Sequence, residues 1–392
     1  MPFAIMDYLK MRLPNPKQGE RIKINKKLIP FSFWPTKTGA RGNASLQPLL
    51  FSLDPWAIID LAIKTDCPNE SKPEALACIA QARDFFESST EAGKVSAKPL
   101  SLYYCFMNLV KAFCLTRGTQ HTFDQAQHGL SESLRAQSRE LIDAFLKAFP
   151  SPSHQGKLQD FSEFLNALTG SQLPAQQEFD IPVLLPQVLP GHRLWSFAAS
   201  KKERFIAIYT INSMVDKITK EMWLTVYIVA DDLTRIGIKH SDFLTQSNLG
   251  GNFRQVACIE TDNDGRPLLC FEQINPITSP STKYANSLQG LFDTIKPDLW
   301  TTVSSTRPYR RYYVYLRSAA EAGQVMPQLL SIYAVAYYLG SITRYRPHHF
   351  SSITDGKYGP RVQDFITGQP LQFLYLIASE FSKRDIARPS IV

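Results

Sequence analysis

The sequence predicts an α+β protein in which a helical bundle, formed by the N- and C-terminal parts of the chain, carries a β-rich antiparallel insertion. Apolar residues recur at helical spacing in both outer parts, whereas β-branched and aromatic runs separated by turn residues occupy the middle. At 392 residues the chain exceeds what one hydrophobic core usually supports. We therefore expect an N-terminal arm (1–72), a first bundle part (73–170), the insertion (171–318) and a second bundle part (319–392).

The arm is rich in Pro, Lys and Asn and contains a basic run from Lys17 to Lys27. A short helix is predicted over Pro55–Lys64, where apolar residues recur at helical spacing. Two interpretations of the arm stay open. It either wraps the main body, which we favour, or binds nucleic acid.

Four helices are predicted in the first bundle part. Pro73–Glu91 has one apolar face and a proline suited to the first helical turn. Pro99–Thr116 is apolar nearly all round, so we expect it at the centre of the bundle, and Gly118 ends it. An amphipathic helix is predicted over Ser133–Phe149 and a short helix over Leu158–Leu168.

The insertion begins with four prolines between residues 171 and 192, which indicates a linker or an extended crossing. Runs of β-branched and aromatic residues then predict strands, and Asp262–Gly265 predicts a hairpin turn because these residues tolerate positive φ. The predicted strands are Arg204–Ile211, Met222–Ala230, Phe253–Ile259, Leu268–Ile274 and Arg311–Leu316.

The second bundle part is predicted to contain two apolar helices, Val325–Ile342 and Leu371–Phe381. Between them lie the segment Arg344–His349 and the loop Asp355–Pro360. We expect Pro347 to forbid further helix after the first of the two. The cations and imidazoles of the segment are then expected in a pocket between two packed helices.

The composition limits the classes of protein to which this chain can belong. The longest apolar run, around Ser331–Leu339, is too short for a bilayer, and residues 1–12 lack the apolar core of a signal peptide. We therefore expect a cytoplasmic protein without membrane association. The net charge of +8 suits a polyanion such as RNA or DNA as partner, and a solvated basic surface is the equally weighted alternative.

No motif for a bound cofactor is present. The chain has no P-loop, no dinucleotide glycine motif, no nucleophile elbow and no His-Glu-x-x-His. His121, His128 and Asp124 match no familiar metal-ligand spacing. Asp262–Gly265 lacks the glutamate that a calcium loop needs at its twelfth position. We expect neither a metal nor an organic cofactor.

The segment Arg344–His349 carries the leading chemical hypothesis. An imidazole can accept the 2′-hydroxyl proton of RNA, and a guanidinium can stabilise the charge that grows on the phosphate. His349 is then the general acid/base, Arg344 stabilises the phosphate, His348 is an auxiliary catalytic residue and Arg346 an auxiliary nucleic-acid contact. The alternative is that the arginines cap a helix end while the histidines hydrogen-bond in the core.

A second basic segment interleaves arginines with tyrosines between residues 307 and 317. Arg307, Arg310 and Arg311 are predicted to contact the nucleic-acid backbone while aromatic rings stack on bases. The alternative is an edge strand whose arginines suppress pairing between molecules.

With these residues assembled, the chain resembles the YaaC-like family of bacterial proteins. The resemblance covers the two helical ends, roughly 74–131 and 325–389. It rests on the segments Lys98–Tyr104, Asn108–Ala112, His128–Leu130, Tyr345–His349 and Phe373–Ser379.

The chain also resembles the HEPN superfamily of helical bundles, whose motif is an arginine and a histidine separated by four to six residues. Arg344 and His349 satisfy that spacing, while Tyr345 and Pro347 depart from the usual pattern. The resemblance implies metal-independent cleavage of RNA, a part in phage defence and a homodimer with a composite site.

Two functions therefore stay open. The first is a HEPN-like protein that cleaves or binds RNA without a metal ion. The second is a non-enzymatic interaction module in which the Arg/His cluster is structural and the β-rich insertion binds a protein or a small ligand. The sequence does not show whether His121 and His128 approach the C-terminal cluster, and if they do, the additional imidazoles strengthen the catalytic hypothesis.

Overall fold

The computed structural model describes residues 13–38, 44–135, 140–306 and 311–389. The chain divides into two compact units. The sheet unit comprises Met1–Gln47 and Ile206–Lys296, and the helical unit comprises Pro48–Phe205 and Pro297–Val392. Helices and antiparallel sheets are both extensive, so the predicted α+β class is confirmed.

Twelve α-helices lie within the described ranges, and none of them is both long and apolar enough to cross a membrane. In chain order they are α1 (Pro55–Asp66), α2 (Lys72–Glu91), α3 (Lys98–Arg117), α4 (Asp160–Thr169), α5 (Ile181–Leu184), α6 (His192–Ala199), α7 (Ala230–Ile236), α8 (Phe243–Gln246), α9 (Ala285–Thr302), α10 (Gln328–Tyr345), α11 (Pro347–Asp355) and α12 (Gly359–Ser382).

The same ranges contain seventeen strands, several of only two residues. They are β1 (Glu20–Arg21), β2 (Lys23–Ile24), β3 (Lys27–Leu28), β4 (Thr36–Thr38), β5 (Ala44–Leu46), β6 (Leu50–Phe51), β7 (Leu130–Leu134), β8 (Ala144–Ala148), β9 (Gln177–Asp180), β10 (Phe205–Val215), β11 (Glu221–Val229), β12 (Phe253–Val256), β13 (Leu268–Gln273), β14 (Ile277–Thr278), β15 (Val303–Thr306), β16 (Arg311–Tyr315) and β17 (Ile386–Ala387).

The helical unit is built around α3 and α10, which pack against each other. Every residue of α10 from Gln328 to Ile342 is buried, and α3 buries most of its length. Gly340 allows the backbones of α3 and α10 to lie close together, because a Cβ at this position would lie only 2.9 Å from the Cβ of Tyr103. The prediction of a central, all-round apolar helix over Pro99–Thr116 is confirmed.

The other helices of this unit cover the central pair. α2 and α4 pack on α3, and α12 packs on α1, α3 and α10. The rings of Phe106 and Phe373 stack with centroids 4.0 Å apart at the contact of α3 with α12. α3 ends at Gly118, whose φ of +67° is costly for other residues, as the sequence predicted.

The predicted helix over Ser133–Phe149 is wrong. β7 and β8 lie there instead and form a three-stranded antiparallel sheet with β9. β8 is the middle strand and is buried at four of its five residues. A strand buried on both faces shows a continuous apolar run, which periodicity cannot distinguish from a buried helix segment.

The interpretation of residues 171–192 as a linker or extended crossing is also wrong. This segment contains β9 and α5, and Ile181, Leu184 and Leu185 are buried. The fully buried Arg361 of α12 fixes it, because its Nη2 donates to the carbonyl oxygens of Leu185 at 3.3 Å and Val188 at 3.0 Å. The prolines therefore shape a packed segment.

The sheet unit contains the antiparallel strand order β12-β13-β11-β10, with β1 paired to β10 and β14 paired to β11. Val226 of β11 pairs with Ile211 of β10 and with Phe271 of β13, so β11 is central. The four strands predicted between residues 204 and 274 are confirmed. The predicted turn is confirmed as well, because Gly265 has φ +78° and Asp262 Oδ1 accepts hydrogen bonds from two backbone N–H groups.

Candidate functional site

Arg344 lies in the last turn of α10 and is exposed. Its Nη1 donates a hydrogen bond to Tyr104 Oη of α3 at 2.9 Å. Its guanidinium carbon lies 5.0 Å from the centroid of the Tyr345 ring. A phenol and an aromatic face thus hold this cation at the protein surface.

His349 is 1% exposed, and both of its ring nitrogens are buried. α10 ends at Tyr345, as expected before Pro347, but Pro347 then begins a new helix, α11, where a proline without an N–H is well suited. α11 turns His349, Phe350 and Ile353 to its buried face. The structure therefore does not bring Arg344 and His349 to one solvent-facing site.

The remaining predicted residues are dispersed. His348 is exposed. Arg346 connects α10 to α11, because its N–H donates to Ile342 and its carbonyl accepts from His349, and its guanidinium lies 3.7 Å from Glu132 Oε1 of β7. Arg307 and Arg310 lie outside the described residues, as does the side chain of Arg311, whose backbone belongs to β16.

A different histidine approaches Arg344. His128 lies just before β7, and its Nδ1 is 2.7 Å from Tyr103 Oη. Its ring packs against Tyr103 and Tyr337, with centroids 5.5 Å and 5.9 Å away. The structure thus joins His128 and Arg344 through adjacent tyrosines of α3, because Tyr104 holds the arginine and Tyr103 holds the histidine.

The charge around His128 affects its protonation. His128 is exposed as a residue, yet the tyrosine rings that flank it remove water from its imidazole, and this desolvation lowers its pKa. The nearby positive charges of Lys111 and Arg344 lower the pKa further. The imidazole is therefore mainly neutral at pH 7.

Behind this surface lies a buried carboxyl group. Asp160 begins α4 and is 1% exposed, and its Oδ2 lies 4.0 Å from Lys111 Nζ. Burial raises its pKa to about 7, against the opposing effect of Lys111. Lys111 is thus held between a carboxyl group and the surface that carries His128.

His121 does not join the cluster. It is exposed, and its Nδ1 lies 2.8 Å from Glu70 Oε1. Among the residues that the structure describes, no group of three or more His, Cys, Asp or Glu side chains could hold a metal ion.

Comparison with known proteins gives one match. A family model described as YaaC-like Protein matches residues 44–381, which is most of the chain. The chain belongs to the YaaC-like family. No curated protein and no solved structure matches it.

In this YaaC-like chain, the residues of the surface come from both halves of the matched segment. Sequence reasoning placed Arg344 at a helix end but could not decide whether His128 lies beside it. The available signal was the segment His128–Leu130, on which the resemblance to the YaaC-like family partly rests. A neutral imidazole can accept a proton from a hydroxyl group, and two cations beside the imidazole can bind an anionic group next to that hydroxyl.

Proposed function

We propose that this protein binds RNA and cleaves it without a metal ion at the surface formed by Arg344, Tyr104, Tyr103 and His128. One observation carries the proposal. The His128 imidazole is hydrogen-bonded to Tyr103, partly desolvated and close to the positive charges of Arg344 and Lys111. A neutral base beside cations is what the transfer of a 2′-hydroxyl proton next to a phosphate requires.

The proposed reaction is an internal displacement. The 2′-oxygen of a ribose attacks the adjacent phosphorus while His128 accepts the 2′-hydroxyl proton, and the bond from phosphorus to the 5′-oxygen breaks. The products are a 2′,3′-cyclic phosphate and a 5′-hydroxyl, whose oxygen takes its proton from water, and the protonated His128 afterwards returns its proton to water. When Nδ1–H donates to Tyr103 Oη, the Nε2 lone pair of His128 serves as the base.

Arg344 has the role in this proposal that the sequence suggested for it, namely to stabilise the phosphate charge. His128 replaces His349 as the base, because both ring nitrogens of His349 are buried. Lys111 adds positive charge, although Asp160 at 4.0 Å offsets part of it.

The test is cleavage of a mixed RNA pool in EDTA by wild type, His128→Ala, Arg344→Ala and His121→Ala, with analysis of the product ends. We expect cyclic phosphate ends from wild type and a loss of rate of about 100-fold or more for the first two variants. His121→Ala is the matched control, because it removes an exposed imidazole that is paired with Glu70 elsewhere. Wild-type inactivity, or full activity of His128→Ala, would overturn the proposal.

A homodimer and a part in phage defence belong to the same proposal, and the resemblance to HEPN proteins supports them. A cytoplasmic location is part of the proposal as well. Sedimentation of the purified protein tests the dimer, since a monomer at all concentrations assayed for cleavage would exclude a composite site. Survival of phage-infected cells that carry wild type or His128→Ala tests the part in defence.

A second candidate is a non-enzymatic interaction module, and the burial of His349 together with the ion pair of Arg346 and Glu132 supports it. Both observations suit a structural cluster at the α10–α11 corner. In that case wild type cleaves no RNA, and His349→Ala lowers the melting temperature because it leaves a cavity in the core. Under the first proposal, folded His349→Ala protein retains cleavage.

A further inference from the structure

The first lysine-rich segment of the chain forms a hairpin in the sheet unit. β2 and β3 pair antiparallel, with Lys23 opposite Leu28 and Ile24 opposite Lys27. The turn between them consists of Asn25 and Lys26. Two buried residues anchor the ends of the hairpin, because Ile22 is 2% exposed and Ile29 is 8% exposed.

Three cations of this hairpin are exposed and unpaired. Lys23, Lys26 and Lys27 are all exposed, and no carboxylate of the described residues forms an ion pair with any of them. Lys217 of the same unit differs, because its Nζ lies 2.5 Å from Glu20 Oε1. The hairpin therefore carries three positive charges that no carboxylate in the described part of the chain neutralises.

The turn is built at a conformational cost. Asn25 has φ +51° and Lys26 has φ +66°, as the favoured two-residue hairpin turn requires. Asparagine tolerates this region well, but the second position ordinarily takes glycine, and a lysine there is strained. Strained backbone is retained most often at functional sites. A cation is thus kept at the tip where glycine would fold more easily.

We propose that the hairpin Lys23–Leu28 binds the phosphate backbone of RNA. Three exposed lysines lie within five residues of one hairpin, and none of them has an ion-pair partner among the described residues, so all three can pair with phosphates of one RNA strand. A loop that inserts into a membrane carries apolar side chains at its tip, whereas Asn25 and Lys26 occupy this one. The inference extends the proposed function to a second RNA contact, and it rests on residues that take no part in cleavage.

The test measures binding alone. A labelled 2′-O-methyl RNA of about 20 nucleotides lacks the nucleophile, so anisotropy reports affinity whether or not the protein cleaves RNA. The variant is Lys23→Gln/Lys26→Gly/Lys27→Gln, in which glycine relieves the turn and keeps the hairpin folded. The control is Lys201→Gln/Lys202→Gln/Lys239→Gln, which removes three other exposed lysines. Melting temperatures confirm that both variants are folded.

We expect the hairpin variant to bind about tenfold more weakly at roughly 100 mM salt, and the control to bind as wild type does. The slope of log Kd against log salt falls by about 2, since each phosphate contact with a single strand contributes about 0.7. Equal weakening of both variants, or unchanged affinity of the hairpin variant, overturns the inference.

Vesicles that contain anionic lipid separate the two sources of phosphate. Binding to vesicles that depends on the hairpin, with RNA affinity unchanged, would also overturn the inference. Cleavage reports on His128 in a separate assay, so the inference and the proposed function can fail independently.

Discussion

At the scale of single residues, His192 shows how the backbone can fix a protonation state. Its Nδ1–H donates to the carbonyl oxygen of Pro186 at 2.7 Å, and its Nε2 accepts from the N–H of Arg204 at 2.7 Å. The two bonds select one neutral tautomer. Because the side chain is 3% exposed, burial lowers its pKa to about 4, and protonation would break the bond from Arg204.

This geometry predicts that His192 makes the protein sensitive to acid. An unfolded histidine has a pKa of about 6.5, so between pH 6.5 and 4 the unfolded chain binds a proton that the native site does not. The contribution of His192 to stability is complete above about pH 6.5 and is lost as the pH falls. Relative to His192→Gln, wild type should lose about 2 kcal/mol of unfolding free energy between pH 7.5 and 5.

Urea unfolding of both proteins at several pH values measures this difference. The comparison isolates His192 from groups such as Asp160, whose raised pKa changes stability in the opposite direction over the same range. Parallel curves for wild type and His192→Gln would contradict the prediction. His121→Gln should follow wild type, because it removes an exposed histidine.

The sequence located half of the candidate surface. The end of the apolar run placed Arg344 at a helix exit, and the structure agrees. His349 follows five residues later, but its orientation depends on where the next helix begins, and successive residues of a helix point about 100° apart. Tyr103 and His128 are 25 residues apart and meet only through tertiary packing, so their contact could not be predicted from spacing.

At the scale of elements, two glycines in helices predict opposite effects of the same substitution. In Gly340→Ala the new Cβ meets Tyr103 Cβ at 2.9 Å and Pro99 O at 3.2 Å, so α10 must move away from α3. We expect a loss of about 1–3 kcal/mol. In α12, a Cβ on Gly368 meets nothing within 4 Å, so Gly368→Ala should stabilise by about 0.5–1 kcal/mol.

Chemical denaturation of the two alanine variants decides this prediction. Equal and small effects would mean that the contact of α3 with α10 is looser than the structure shows. A lower cleavage rate of folded Gly340→Ala would accompany the proposed function, because Tyr103 contacts both Gly340 and His128.

Helices and strands could be predicted where their sequence pattern fits only one type of secondary structure. α3 and α10 are long, apolar and bounded by proline or glycine, and the strands of the sheet unit are β-branched and aromatic runs separated by turn residues. β8 has five residues and is buried almost throughout, and such a run fits a helix and a strand equally well. Pairing with β7 and β9 decides the outcome, and β9 lies well outside the segment predicted as a helix.

At the scale of the whole molecule, the burial of each helix predicts how readily it unfolds locally, and the most buried helices should unfold last. α10 is buried over its first fifteen residues, Gln328–Ile342, whereas α11 is short and largely exposed. Amide hydrogen exchange should therefore be slower in α3 and α10 than in α11 by about 100-fold or more. Mass spectrometry of exchanged peptides measures this, and comparable protection of α10 and α11 would contradict it.

The order of the chain has a consequence for its synthesis. α3 leaves the ribosome early, but α10 and α12, which cover it, are translated more than 200 residues later. The part of the α3 surface that α10 and α12 cover thus stays exposed on the nascent chain through most of translation. Premature termination before residue 328 should yield aggregation-prone fragments that depend on chaperones, even though the finished protein buries most of that surface.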